Sequence, residues 1–253
     1  MIDSTQRFSS RVENYLKYRP GYPSAILDLL KDECGLTSAS VVADLGSGTG
    51  ILAELFLRNN NPVFAVEPNR EMREAAERLL DKHSNFTSRS GTAEATTLPE
   101  QSVDFITASQ AFHWFEREPA RREFLRILKS GGWTVLIWNE RSMASPFAKA
   151  YEDLLRTYGT DYEAVNHKHT DAKMIRSFFG VNGCELANFP NRQVFDWDGL
   201  KGRLLSSSYA PEPGHPQHAP MLKALNSLFS GYQTSGTVVF EYDTLVYYAQ
   251  LSA

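Results

Sequence analysis

The period of the apolar positions changes near residue 41 of this 253-residue chain. Ahead of that point, Phe8, Val12, Tyr15 and Leu16 recur at helical spacing and lay one apolar stripe along a first helix. YRPGYP (18–23) ends it, because proline bars helical backbone before and within the turn. Pro23 suits the first position of a second helix, PSAILDLLKDEC, with Ile26, Leu29 and Leu30 facing inward. From Val41 onward, strand-length apolar runs alternate with amphipathic helices. VVADL (41–45) leads through a glycine turn into ILAELFLR, and VFAVE (63–67) into REMREAAERLLDKH, where Met72, Ala75, Ala76, Leu79 and Leu80 share a face. FTSRS (86–90) and VDFITAS (103–109) read as the third and fourth strands. PARREFLRILK is a helix with a glycine stop at KSGG, and WTVLIWN (133–139) is the fifth strand.

Strands separated by helix-length connections imply parallel pairing, right-handed crossovers and helices on both faces of an open α/β sheet. Such sheets bind ligands beyond the carboxyl ends of their strands. After Asn139 the alternation stops. A stretch of mainly helical pattern follows, interrupted by the strand-like ELANFPNRQVFDW, and the chain closes on the β-branched and aromatic TVVFEYDTLVYYAQL, expected as a strand bulged or broken near Asp243. No linker or internal repeat divides the chain. It reads as one domain over 1–253, with lid helices over 1–35, a core over 36–139, a helical cap and substrate-side elements over 140–235, and a terminal strand over 236–251.

The turn DLGSGTG carries the first chemistry. Glycines at 46, 48 and 50 allow backbone conformations closed to residues with a Cβ and let a ligand lie on bare main chain. A dinucleotide fingerprint needs G-x-G-x-x-G; here the third glycine comes one residue early and position 51 is isoleucine. Asp44, two residues before the first glycine, would repel a pyrophosphate and would suit a ligand with a cationic amino-acid end. Glu67 ends the second strand, placed to accept both hydroxyls of a ribose or, more simply, to open the next helix favourably.

DLGSGTG, then VEPN, then GTAEATTLPEQSVDFITASQAFHWF, then LKSGGWTVLIWN, resembles the class I S-adenosylmethionine-dependent methyltransferases. Together with YRPGYP, the set is similar to their small-molecule group of trans-aconitate-type and related carboxyl methyltransferases. The resemblance covers about residues 8–140. It implies a Rossmann-like, seven-stranded, mostly parallel sheet whose last strand is reversed, with S-adenosylmethionine as the cofactor. It places Asp44 near the methionine amino group, Gly46, Ser47 and Gly48 along the methionine and ribose, and Glu67 on the ribose hydroxyls. It places Pro68 and Met72 near the adenine, with Thr92 and Ala93 at its edge. Many relatives carry aspartate at position 92, so either Thr92 or Glu94 takes the adenine amino group. Ser109 and Gln110, with Ala111, flank the methionine portion.

Methyl transfer from a sulfonium is an in-line displacement with a neutral leaving group, so positioning and water exclusion can carry it without a catalytic triad. His113 in AFHWF is the candidate base toward a hydroxyl or amine acceptor, or else a hydrogen-bonded wall residue. Trp114 is read as core packing or as an aromatic face near the sulfonium. Tyr15, Tyr18 and Arg19 are positioned to fold over the cofactor, with Arg19 suited to the methionine carboxylate or an acidic substrate, or simply held on the surface by its turn. The spacing of His167 and His169 invites a metal, but no third ligand accompanies them.

Composition narrows the partners. Twenty-six basic against thirty acidic side chains leave a net charge of −4, without a bulk nucleic-acid footprint. No secretory leader or membrane-length apolar run is visible, and Cys34 and Cys184 form neither a disulfide framework nor a metal motif. The expectation is a cytoplasmic enzyme methylating a small molecule, a carboxylate for instance. The rival readings are an NAD-dependent oxidoreductase and a non-catalytic S-adenosylmethionine-binding protein.

Overall fold

The computed structural model describes residues 17–160, 162, 172–181 and 183–251. The expected helix over Phe8–Leu16, with Tyr15, and the pair His167 and His169 lie outside them. Seven strands form one sheet in the order β3-β2-β1-β4-β5-β7-β6. They are β1 (Val42–Leu45), β2 (Val63–Val66), β3 (Phe86–Arg89), β4 (Val103–Ser109), β5 (Leu128–Arg141), β6 (Glu185–Phe195) and β7 (Val238–Ala249). The first five are mutually parallel, and β7 runs antiparallel to both β5 and β6. The helices are α1 (Ala25–Cys34), α2 (Ile51–Arg58), α3 (Arg70–Leu80), α4 (Arg117–Ile127), α5 (Pro146–Tyr158), α6 (Ala172–Phe179), α7 (Trp197–Leu205) and α8 (His218–Tyr232).

Both faces of the sheet are covered, which is why β1 is buried at every position rather than alternating. Ala43, Leu45, Leu136 and Trp138 pack on one side with Phe124 of α4 and Phe178 of α6. Val42, Val135 and Ile137 pack on the other with Ile26 of α1 and Phe56 of α2. A third cluster builds the cap, where Tyr151 of α5, Leu200 and Leu204 of α7 and Leu225 of α8 meet Phe240 and Tyr242 of β7.

Four details differ from the sequence expectation. Helix α1 starts at Ala25 after Ser24, so Pro23 lies ahead of its first turn. KSGG does not end a helix in a loop: α4 stops at Ile127, and β5 begins at Leu128, with a register shift against β4 where the glycines pass. β7 is unbroken at Asp243, because its partners β5 and β6 hold it from both sides. β6, within the range expected as cap, is a strand of the main sheet, and its Pro190 is tolerated because this is an edge strand.

YRPGYP is strapped across the carboxyl ends of the strands. The Gly21 carbonyl accepts from the side-chain amides of Asn139 and Asn191, and the Tyr18 carbonyl accepts from Gln193. The Tyr18 ring lies against the bare Cα of Gly202 on α7, where a Cβ would collide with it. Among the described residues no helix is long and apolar enough to cross a membrane.

The glycine turn is built into this packing. Gly50 has φ +83°, and a Cβ there would stand 2.5 Å from Leu80 Cδ1 and 3.5 Å from Ala76 Cβ. Gly50→Ala should therefore lower stability by at least roughly 1–2 kcal/mol, from left-handed backbone alone, plus the cost of displacing Leu80. Chemical denaturation checks this, and an unchanged midpoint would show that α2 and α3 are not in close contact.

Candidate functional site

Strand order reverses direction around β1, whose neighbours β2 and β4 carry the chain away on opposite sides. A crevice beyond the carboxyl ends is expected there. The structure has a cavity of about 460 Å³ at that place, lined by Gly46, Gly48, Glu67, Pro68 and Met72 on the β1–β2 side. Thr92, Ala93, Glu94, Ser109, Gln110 and Ala111 complete the opposite side. Asn69, Phe115 and Glu116, which no motif singled out, also line it, and so does Trp114.

Each wall has a local cause. The Gly46 and Ser47 N–H groups both donate to the Val66 carbonyl, which ties the turn after β1 to the end of β2. Gly46 (φ +64°) has no room for a side chain, since a Cβ would stand 2.7 Å from Ala111 Cβ. Gly48 (φ +56°) is different: a Cβ there would meet nothing within 4 Å. Its bare main chain thus faces the open volume.

Glu67 is 8% exposed and bridges two turns. One carboxylate oxygen accepts from Gly48 N and the other from Asn69 N, each at 2.8 Å. Burial raises its pKa against the opposing pull of those N–H groups and of Arg73. A carboxylate has about four acceptor directions, so these two bonds orient Glu67 and leave capacity toward the cavity. Asn69 caps α3 through its side chain, which accepts from Met72 N and sets Met72 into the wall. The Thr92–Ala95 turn is anchored to α4, because Glu123 accepts from both Thr96 N and its hydroxyl. Glu94 is pinned across the mouth by accepting from Glu116 N at 2.8 Å.

Asp44 and Ser47 stand behind the cavity lining rather than in it. Asp44 is fully buried, and its Oδ1 accepts from the hydroxyl of Thr107, its register partner on β4. Its Oδ2, the Ser47 hydroxyl and the Thr49 hydroxyl are buried polar atoms without hydrogen-bond partners. Burial pushes the Asp44 carboxyl up to about 7, with the charge of Glu67 adding to it and Thr107 opposing.

Tyr18, Arg19 and His113 are placed away from this cavity. The short 3₁₀ turn Phe112–Trp114 sends Phe112 into the core, edge-on to Phe178 at 4.7 Å, and Trp114 to the cavity. His113 lines neither this cavity nor its neighbour. Tyr18 packs on Gly202 and Arg19 donates to the Ser206 carbonyl, both on the cap side.

Arg19 belongs to a second cavity of about 120 Å³, which also includes Trp138, Arg141, Glu152, Arg203, Tyr209 and Tyr242. Gln110 lines both cavities. It has φ +52°, unusual for a residue with a side chain, and is held there by bonds from its N to Ile137 O and from its side-chain amide to Asn139 O, both 3.0 Å. Its other two arginines, Arg141 and Arg203, come from β5 and α7, far apart in sequence, and no motif pointed to them.

Known proteins share part of this chain's sequence and its fold. Residues 43–136 match the methyltransferase domain family. An uncharacterized methyltransferase-like protein of Schizosaccharomyces pombe is 34% identical over 155 residues, covering 61% of this chain and 59% of that protein. An uncharacterized methyltransferase of Mycobacterium tuberculosis is 35% identical over 168 residues, covering 66% of this chain and 65% of its own. The chain thus aligns with less than two thirds of these relatives' lengths. A Geobacter sulfurreducens S-adenosylmethionine-dependent methyltransferase, solved with S-adenosylhomocysteine, superposes over all of both chains with a TM-score of 0.56 at 16% identity, a likeness of fold.

The Asp44 environment yields a pH test. With its carboxyl raised from 3.8 to about 7, the folded chain binds more protons than the unfolded one between those values. This contribution to stability is fully present below about pH 4 and is lost as pH climbs through about 7, a few kcal/mol in all. The ligand-free denaturation midpoint should fall across that window, and Asp44→Asn should flatten the fall. An identical pH profile in the variant would mean that Asp44 is not the buried acid.

Proposed function

Since residues 43–136 carry a methyltransferase domain on the class I methyltransferase fold, we propose that this chain is an S-adenosylmethionine-dependent methyltransferase acting on a small-molecule acceptor. The observation that carries the reading is the Glu67 carboxylate, oriented by Gly48 and Asn69 in the wall of a cavity where Gly48 leaves its side open. The remaining acceptor capacity of Glu67 suits a pair of ribose hydroxyls. Met72 and Pro68 supply apolar surface for a base, and Thr92, Ala93 and Glu94 form the edge where its amino group is read.

The Asp44 carboxylate behind the turn, when ionised, complements the charge of a cationic amino-acid end held in the cavity. Bound there, S-adenosylmethionine supplies a sulfonium methyl group whose transfer leaves a neutral thioether. The chain's part is to hold and orient. Ser109 and Gln110 close the cavity at the end of β4, and Gln110 stands where the cofactor cavity meets the second one. Trp114 adds an aromatic wall. An acceptor that is nucleophilic when ionised, such as a small carboxylic acid, needs no proton removed at this seam. A pyrophosphate at the glycine turn fits poorly beside the Asp44 carboxylate.

Calorimetric titration with S-adenosylhomocysteine, and with NADH for contrast, tests the reading. Binding of the first at micromolar concentrations and none of the second is expected, and the reverse would make the chain a dinucleotide enzyme. Glu67→Ala should weaken S-adenosylhomocysteine by at least about tenfold, some 1.4 kcal/mol. Unchanged affinity would reduce Glu67 to a turn-bridging residue. Gly48→Val should abolish binding while the protein still unfolds cooperatively, and retained affinity would move the ligand away from the turn.

A further inference from the structure

Among the described residues, the cap side of the second cavity brings two guanidiniums, Arg141 and Arg203, beside one buried carboxylate, Glu152. Arg141, at the end of β5, is answered by Glu152 of α5, whose Oε2 accepts from its guanidinium at 2.8 Å and from the Tyr162 hydroxyl at 2.7 Å. Among the described residues no carboxylate pairs with Arg203 of α7 in this way. It is 6% exposed, its guanidinium donates to the Ser207 hydroxyl at 3.2 Å, and its Nε has no partner. The other carboxylate of the lining, Glu140, is exposed at the end of β5.

Arg19 reaches the same wall from YRPGYP. Burial would raise the pKa of the Tyr209 hydroxyl, yet the guanidiniums of Arg141, Arg203 and Arg19, together with a hydrogen bond to Ser207, hold it below the usual tyrosine range. A guanidinium withdrawn from water without an anion is strongly unfavourable, and its planar fork matches a carboxylate or phosphate.

We infer that the second cavity is an oxyanion subsite in which Arg203 grips a carboxylate or phosphate group of the acceptor, and that this group is a handle rather than the atom methylated. The inference rests on the methyltransferase reading, because it takes the wall shared at Gln110 as the side facing the methyl donor. Arg203 approaches from the cap, so an acceptor held there extends its remainder toward Gln110. Hydrogen bonds from the guanidinium also occupy the oxyanion's lone pairs and make that group a poorer nucleophile. The cavity's volume of about 120 Å³ suits a small acid.

The test is titration of the full chain, saturated with S-adenosylhomocysteine and at constant ionic strength, with succinate, glycerol 3-phosphate and uncharged succinamide. At least one anion should bind and raise the denaturation midpoint while succinamide does neither, and the tighter anion identifies the handle. Arg203→Met should weaken that anion by at least about tenfold and leave S-adenosylhomocysteine within about twofold, with Arg203→Lys recovering part of the loss. Should the methionine variant not fold, the comparison of succinate with succinamide on the unaltered protein still decides.

The inference is overturned if neither anion binds, if succinamide binds equally, or if the Arg203 variants bind as before. Mutual displacement of the anion and S-adenosylhomocysteine would also overturn it, by placing the anion in the cofactor cavity. Failure of S-adenosylhomocysteine to bind at all would instead remove the methyltransferase reading, while the anion titration would still judge Arg203.

Discussion

The site depends on one buried carboxylate joined to two turns. Glu67 ends β2, and its oxygens accept from the glycine turn after β1 and from the first turn of α3. Neither turn is held in that relation by its own backbone alone, since Gly46 and Ser47 share a single acceptor, the Val66 carbonyl. With both N–H groups satisfied by one carboxylate, the two strand ends become a fixed corner. Gly46 against Ala111 and Gly50 against Leu80 then define how closely β4 and α3 approach that corner. The cavity is the space left over, with Gly48 as its open side.

The charged groups around the two cavities follow opposite patterns. Around the glycine turn the buried ionisable groups are acidic, Asp44 and Glu67, and both are raised by burial. In the cap they are mainly basic, and Glu152 pairs with Arg141 and, at longer range, with Arg156. A ligand with a cationic end suits the first and an oxyanion suits the second. Gln110, held in left-handed backbone between them, stands at the seam of this polarity. The YRPGYP strap matters here because it carries Arg19 across the strand ends to the basic side, through bonds to Asn139, Asn191 and Gln193.

The strand–helix alternation and the place of the first cavity were legible in the sequence for physical reasons. Parallel βα units bring successive strand ends to one edge, so residues that follow strands, such as Gly46, Glu67, Thr92 and Ser109, must converge without any knowledge of side-chain packing. Three glycines in one turn likewise announce backbone that residues with a Cβ seldom adopt. What such a pattern does not carry is direction. His113 and Trp114 are neighbours in one motif, yet a single 3₁₀ turn sends Trp114 to the cavity and leaves His113 outside it. Asp44 follows the strand rule too, but its packing beside Thr107 puts it behind the wall instead of in it.

By itself, then, the sequence determined the alternation of strands and helices, the reversed terminal strand implied by resemblance, and the glycine corner with its acidic partner. All of these arise from local conformation or from short-range order along the chain. Only tertiary structure decided the second cavity. Arg141, Glu152, Arg203 and Tyr209 come from one strand, two helices and a loop. Each would pass as an ordinary surface residue until folding buries it, and whether a buried guanidinium has a carboxylate beside it depends on packing, which the spacing of residues does not encode.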